Sequence, residues 1–131
     1  MRRLQSSLLE RTKRFAHRMV DVAEALEEDG ARRSRFRVID QIVGCGTSVG
    51  ANTREADEAI SRPDFCKCCG TVLKELGECR FWIEFVGGRQ WLPEKRLSDL
   101  RSESEELTRV FHVMVARVRR KDRESKRPPK P

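Results

Sequence analysis

Apolar residues recur along this chain at steps of three and four, the spacing of one buried helix face, and the pattern falls into four segments. The first runs from about Ser7 to Asp29, with Leu8, Phe15, Met19, Val22 and Leu26 on one face and Thr12 filling the missing step. Ser7-Leu8-Leu9-Glu10 has capping-box spacing at its start, and Gly30 suits the position just past its end. The second spans Ser34 to Ile60, with Phe36, Ile39, Ile42, Val43, Val49, Ala56 and Ala59 as its apolar face. Gly44, Gly46 and Gly50 interrupt it, each at a cost of up to about 1 kcal/mol in a helix interior. The apolar face on both sides of the glycines predicts an intact helix whose bare Cα positions admit a close neighbour.

Ser61-Arg62-Pro63-Asp64 then places a capping residue before a first-turn proline and an acid that suits the positive helix end. Phe65, Cys66, Cys69, Val72, Leu73, Leu76, Cys79, Ile83 and Val86 follow at helical spacing, and Gly87-Gly88 closes this third segment. The fourth begins after Pro93, where Leu97, Leu100, Ser104, Leu107, Phe111, Met114 and Val118 alternate steps of three and four. Beyond Val118 the pattern stops. Four long helices with short connections pack as an up-down-up-down bundle. The predicted architecture is therefore an all-α, antiparallel four-helix bundle over residues 1–118 with a basic, disordered tail over residues 119–131.

Composition agrees. The 131 residues are 37% charged and 6% aromatic, with no Tyr, a profile for solvated helices rather than strands. The net charge of +7 is unevenly placed. Residues 119–131 carry Arg119, Arg120, Lys121, Arg123, Lys126, Arg127 and Lys130 against Asp122 and Glu124, a net +5 that leaves +2 for the other 118 residues. Arg2, Arg3, Arg11, Lys13, Arg14 and Arg18 form a second cluster, and Arg32, Arg33, Arg35 and Arg37 a third. In a four-helix bundle the first N-terminus and the last C-terminus lie at the same end, so the N-terminal cluster and the tail converge there. Such a positive end points to a polyanionic partner. Few aromatics and no Tyr argue against base-stacking platforms for single strands, so the contact expected is with phosphates, sequence-tolerant and salt-sensitive. No run approaches the length of a membrane span, and the basic run lacks an amphipathic aromatic neighbour, so no membrane partner is expected.

Five cysteines, three of them within Cys66-Lys67-Cys68-Cys69, suggest a reducing cytoplasm rather than a disulfide framework. Cys66 and Cys69 have CxxC spacing, but Cys45, Cys79, His17 and His112 do not complete a zinc set, and core packing explains the pair better. Cys68 is expected to be the more exposed thiol. No metal, cofactor or catalytic residue is expected. A di-iron bundle needs Glu three residues before each His, where this chain has Arg14 and Arg109. Ser48, Asn52 and Glu55 share one helix face, and Lys74, Glu75 and Glu78 could face them in a register-fixing polar network.

The second and third segments also resemble a known family. Thr47-Ser48-Val49-Gly50-Ala51-Asn52, Glu55-Ala56, Ser61, Asp64-Phe65, Leu73-Lys74-Glu75, Glu78 and Trp82 are similar in order and spacing to the four-helix-bundle proteins related to 23S ribosomal RNA intervening-sequence proteins. Arg11-Thr12, Phe15-Ala16 and Glu105-Glu106-Leu107 extend the likeness across residues 4–118. The resemblance implies four antiparallel helices and, in some members, ring-shaped homopentamers. One branch, the accessory variability determinants of diversity-generating retroelements, binds nucleic acid and a reverse transcriptase. The expectation is a non-enzymatic, homo-oligomeric nucleic-acid-binding bundle. A protein–protein adaptor, for a reverse transcriptase or another acidic partner, is the alternative. The enzyme alternative is a HEPN-like ribonuclease, in which Arg11 would bind phosphate and His17 move a proton.

Overall fold

The computed structural model describes residues 3–28 and 33–131, which leaves Arg2, Gly30 and Arg32 outside the described residues. Among these residues the chain forms four helices: α1 (Ser6–Glu28), α2 (Arg33–Asp57), α3 (Arg62–Gly88) and α4 (Glu94–Ser125). Their contacts run in opposite senses along each consecutive pair: between α2 and α3, Cys45 lies by Cys79, whereas Glu55, further on, lies by Cys68, further back. Gly46 of α2 meets Met19 of α1, and Gly50, further on, meets Ala16 and Thr12, further back. Arg80 of α3 bonds Thr108 of α4, whereas Gly87 approaches Leu97. Consecutive helices are thus antiparallel, and the α1/α4 seam is the sparsest of the four.

The starts of the helices show how local chemistry sets the ends. Ser61 is the N-cap of α3: its hydroxyl accepts from the Asp64 amide at 3.1 Å, and Asp64 Oδ2 accepts from the Ile60 amide at 3.1 Å. Asp64 thus reaches back past the cap to the amide of the preceding residue, a variant of the capping box in which the N-cap amide itself is not the partner. The Ser7–Glu10 box expected for α1 is not formed, because the helix begins one residue earlier at Ser6. Asp57, only 1% exposed, does the anchoring instead. Its Oδ1 accepts from the amides of Arg3 at 2.8 Å and Leu4 at 2.7 Å, which pins the entry to α1 against the end of α2. At the other end of the bundle, α3 stops at Gly88, but the left-handed residue of the following turn is Gln90 (φ 59°), not a glycine.

The core is a column of side chains from all four helices. Phe15, Met19 and Leu26 come from α1, Ile42 and Val49 from α2, Val72, Leu76 and Ile83 from α3, and Leu97, Leu107 and Phe111 from α4. The buried hydroxyls are satisfied within their own helices: Thr12 to the Leu8 carbonyl, Thr53 to Val49 and Ser104 to Arg101. α2 continues through all three glycines. At Gly46 the bare Cα is required, since a Cβ there would lie 2.4 Å from Met19 Cβ.

Three expectations need correction. Phe36 lies on the first turn of α2 and is 52% exposed, while Val38 is buried with Ile39. On α4 the buried face moves from Phe111 to Val115, with Met114 and Val118 only partly covered. A straight helix drifts by about 20° per heptad against a 3.5-residue repeat, so a strict heptad pattern loses the seam over this length. Finally, residues 119–125 are helical, not disordered. Arg, Lys and Glu are good helix formers, and the Asp122–Lys126 pair, 3.0 Å apart at i,i+4, supports the last turn. The helix ends before Pro128-Pro129, whose rings disfavour helix in the residue before each.

Candidate nucleic-acid interface

The expected cations fall into separate environments. At the end of α4, Arg117, Arg119, Arg120, Lys121 and Arg123 are all exposed on a continuous helix. Their positions surround the helix axis, so this stretch is a cationic arm rather than one charged stripe. The cations also complement the negative C-terminal end of the helix dipole. Lys126 pairs with Asp122, and Arg127 and Lys130 follow in the non-helical end. The antiparallel order puts this arm at the end of the bundle where α1 begins.

The N-terminal set divides. Arg3 donates Nε to the Ala59 carbonyl at 2.7 Å, so it helps hold the α2–α3 turn. Arg11 is engaged with α4, ion-paired to Glu103 and, at 3.4 Å, to Glu106. Lys13 and Arg14 are exposed. Lys13 lines a groove of about 550 Å³ between α1 and α2, together with Leu9, Glu10, Ala16, His17 and Arg54. The arginines at the start of α2 lie at the far end, where Arg35 stacks over the Trp91 ring with its guanidinium carbon 4.8 Å from the centroid. They do not join the arm.

Arg11 and His17 do not converge. Arg11 reaches across to α4, while His17 faces the groove with α2. Six residues of helix rotate one side chain about 120° from the other, which separates the two groups. The HEPN-like pairing therefore has no shared site here.

Nor do the predicted polar residues form a network between helices. Asn52 donates to the Ser48 carbonyl in its own helix at 2.8 Å, and Glu78 accepts from Trp82 Nε1 at 3.4 Å. Glu55 and Lys74 are exposed. Glu75 is half-buried beside Glu78, and burial, reinforced by that neighbouring carboxylate, raises its pKa above the ordinary value. The polar groups that do bridge separate elements, Asp57 and the Arg80–Thr108 pair, carry no signal in the sequence pattern.

All five cysteines are free thiols. Cys68 is buried (9% exposed), and the more accessible thiol is Cys66, which corrects the expectation. Burial, with the neighbouring thiols adding to it, pushes Cys69 up to about 12. Cys79 is also raised, chiefly by its hydrogen bond with Cys45 and by burial. Among the described residues no group of three His, Cys, Asp or Glu side chains could hold a metal ion, and no helix is long and apolar enough to cross a membrane.

An all-α bundle of four helices with a projecting basic arm defines the class of the molecule. Residues 6–112 match the 23S rRNA-intervening sequence protein family, and the chain belongs to that family. It is also similar to the crystal structure, at 1.70 Å resolution, of a protein of unknown function from the S23 ribosomal protein family of Bacteroides thetaiotaomicron. The identity is 28% and the TM-score 0.75, over 82% of this chain and 97% of that one. No curated protein matches the chain in sequence.

Proposed function

We propose that this protein is a non-enzymatic, homo-oligomeric nucleic-acid-binding bundle whose α4 arm neutralises phosphates. The observation that carries the reading is the arm itself: five exposed cations from Arg117 to Arg123 on one ordered helix. A preformed helix loses less conformational entropy on binding than a disordered tail with the same charge. Contacts of this kind are sequence-tolerant and weaken as salt rises.

The homo-oligomer, a pentamer by family resemblance, finds support in an uncovered aromatic cluster. Phe81 and Phe85 are 54% and 37% exposed, and they pack edge-on with Trp82 and Trp91 at centroid separations of 4.8 to 5.8 Å. Trp82 and Trp91 are thus partly buried members of a surface cluster. A protein partner such as a reverse transcriptase could use the same cluster, which makes the adaptor the second reading. Five free thiols suit a reducing, cytoplasmic setting.

Fluorescence anisotropy with labelled structured RNA and duplex DNA, across a salt series, tests the function. The wild-type chain is compared with a variant carrying Gln at positions 119, 120, 121 and 123. Steep salt dependence that flattens in the variant supports the arm. Absence of binding by the wild type near physiological salt would remove the nucleic-acid reading and favour the adaptor.

A further inference from the structure

We propose that the α1/α2 groove is a second nucleic-acid contact, one that takes a single strand, with Lys13 and Arg54 holding its phosphates. The inference rests on the nucleic-acid reading above and assigns it a site that the basic arm does not supply.

The groove exists because its floor lacks side chains. Ala16 on α1 and Gly50 and Ala51 on α2 face each other, and a Cβ at Gly50 would already touch Ala16 Cβ at 3.6 Å and Lys13 Cα at 3.9 Å. Two backbones this close leave an open trough above them of about 550 Å³, within the range of roughly 300–1,000 Å³ that ligand sites occupy. Lys13 stands on one wall and Arg54 on the other, with His17 one turn beyond Lys13. None of the three side chains makes a hydrogen bond or ion pair within the described residues, in contrast to Arg11, two residues before Lys13, which Glu103 and Glu106 neutralise. Glu10 is the one acid in the lining, and it pairs with neither cation.

The chemistry selects a strand. Opposed, unpaired cations across a trough match a phosphodiester backbone, and the apolar parts of Leu9, Ala16 and Val20 offer contact to sugars and base edges. A duplex is too broad to enter a trough between two adjacent helices, whose axes are about 8–10 Å apart. Lys13 and Arg54 also lie toward the end of the bundle that carries the α4 arm, so arm and groove can contact one polyanion together.

The test is anisotropy of a fluorescein-labelled 12-nucleotide single-stranded RNA and of a duplex of the same length, at several salt concentrations. It compares the full chain with K13Q/R54Q, Ala51→Trp and the arm-neutralised variant, each checked for fold by circular dichroism. Ala51 is exposed, so Trp there fills the trough without changing charge. The expected result is that K13Q/R54Q lowers the single-strand salt slope by about 1.4, from two contacts at about 0.7 each. Ala51→Trp weakens the single strand at least five-fold and leaves the duplex unchanged, and Glu10→Gln tightens the single strand. If the full chain binds RNA but Ala51→Trp has no effect, the groove assignment is overturned and the arm reading stands. If the full chain binds neither nucleic acid, both fall. If only an acidic peptide is captured in an Ala51-sensitive way, the groove serves a protein and the proposal is overturned.

Discussion

Two glycines of α2, two residues apart, should respond to the same substitution with opposite signs. Gly44→Ala meets nothing within 4 Å, so it gains the intrinsic helix preference of Ala over Gly, up to about 1 kcal/mol. Gly46→Ala gains the same preference but places its Cβ 2.4 Å from Met19 Cβ and 2.9 Å from Met19 Cγ. Carbon atoms pack best at about 3.5–4.0 Å. The clash is with a β-carbon, which rotamer changes cannot move, and Met19 is completely buried. Helices α1 and α2 would have to separate by about 1 Å along their seam. Overpacking of this kind costs about 1–3 kcal/mol. The net effect is a loss of about 1–2 kcal/mol at Gly46 and a gain of about 0.5–1 kcal/mol at Gly44. With about 4 °C per kcal/mol for a chain of this size, Gly46→Ala should lower Tm by about 4–8 °C and Gly44→Ala raise it by about 2–4 °C. Thermal melts followed by circular dichroism at one fixed protein concentration would show this, since the Tm of an oligomer depends on concentration. Urea melts with unchanged slopes would confirm that native stability has shifted. If Gly46→Ala melts at or above Gly44→Ala, the close α1/α2 approach is wrong.

Other substitutions probe the anchors and the titrating groups. Asp57→Ala leaves the Arg3 and Leu4 amides without their carboxylate, at a cost of about 1–3 kcal/mol, and should speed amide exchange at the start of α1. Glu75 has a raised folded pKa, so its charged form opposes folding above that pKa and the penalty fades as pH falls through it. Glu75→Gln should therefore stabilise at neutral pH, with the advantage gone in acid; an advantage that grows in acid would contradict the assignment. Iodoacetamide on the native protein should label Cys66 first and Cys69 and Cys79 only after denaturation, as peptide mass mapping would reveal. Arg11→Gln should lower stability by up to about 1 kcal/mol and leave the RNA salt slope unchanged, because its charge is already matched by α4.

The fold was legible because the four helices carry nearly uninterrupted apolar faces. All of Leu8, Thr12, Phe15, Met19, Val22 and Leu26 are buried as the spacing requires, and the Ser61–Asp64 start of α3 forms its cap. The misses have physical causes. Packing periodicity ends near Val118 and so predicts a disordered tail, yet charged residues with good helix propensity continue a helix already nucleated by the core. The sequence carries no signal for the bonds from Asp57 to the Arg3 and Leu4 amides, because backbone amides distant in sequence leave no residue signature. The apolar stride through Cys66 and Cys69 points Cys68 outward, but the buried arc of α3 is wide enough there to include 65, 68, 69 and 72.

The candidate interface was legible only as a sum of charge, and a sum does not say which charges can meet a ligand. Arg3, Arg11 and Lys13 look equivalent in the sequence. In the fold one secures a turn, one is neutralised by two glutamates, and one stands in a groove. Arg54 is an isolated cation on α2 with no signal in the sequence, and its value comes from facing Lys13 across small residues. The separation follows from the open α1/α4 seam. There, where the helices touch little, Arg11 and the α4 glutamates meet as a partly exposed ion pair, whereas the one acid lining the α1/α2 groove, Glu10, pairs with neither of its cations. Close helix packing through Gly46 and Gly50 therefore both closes the core and opens the trough above it. A loss of the seam in Gly46→Ala should disturb single-strand binding as well as stability, which links the two tests through one structural cause.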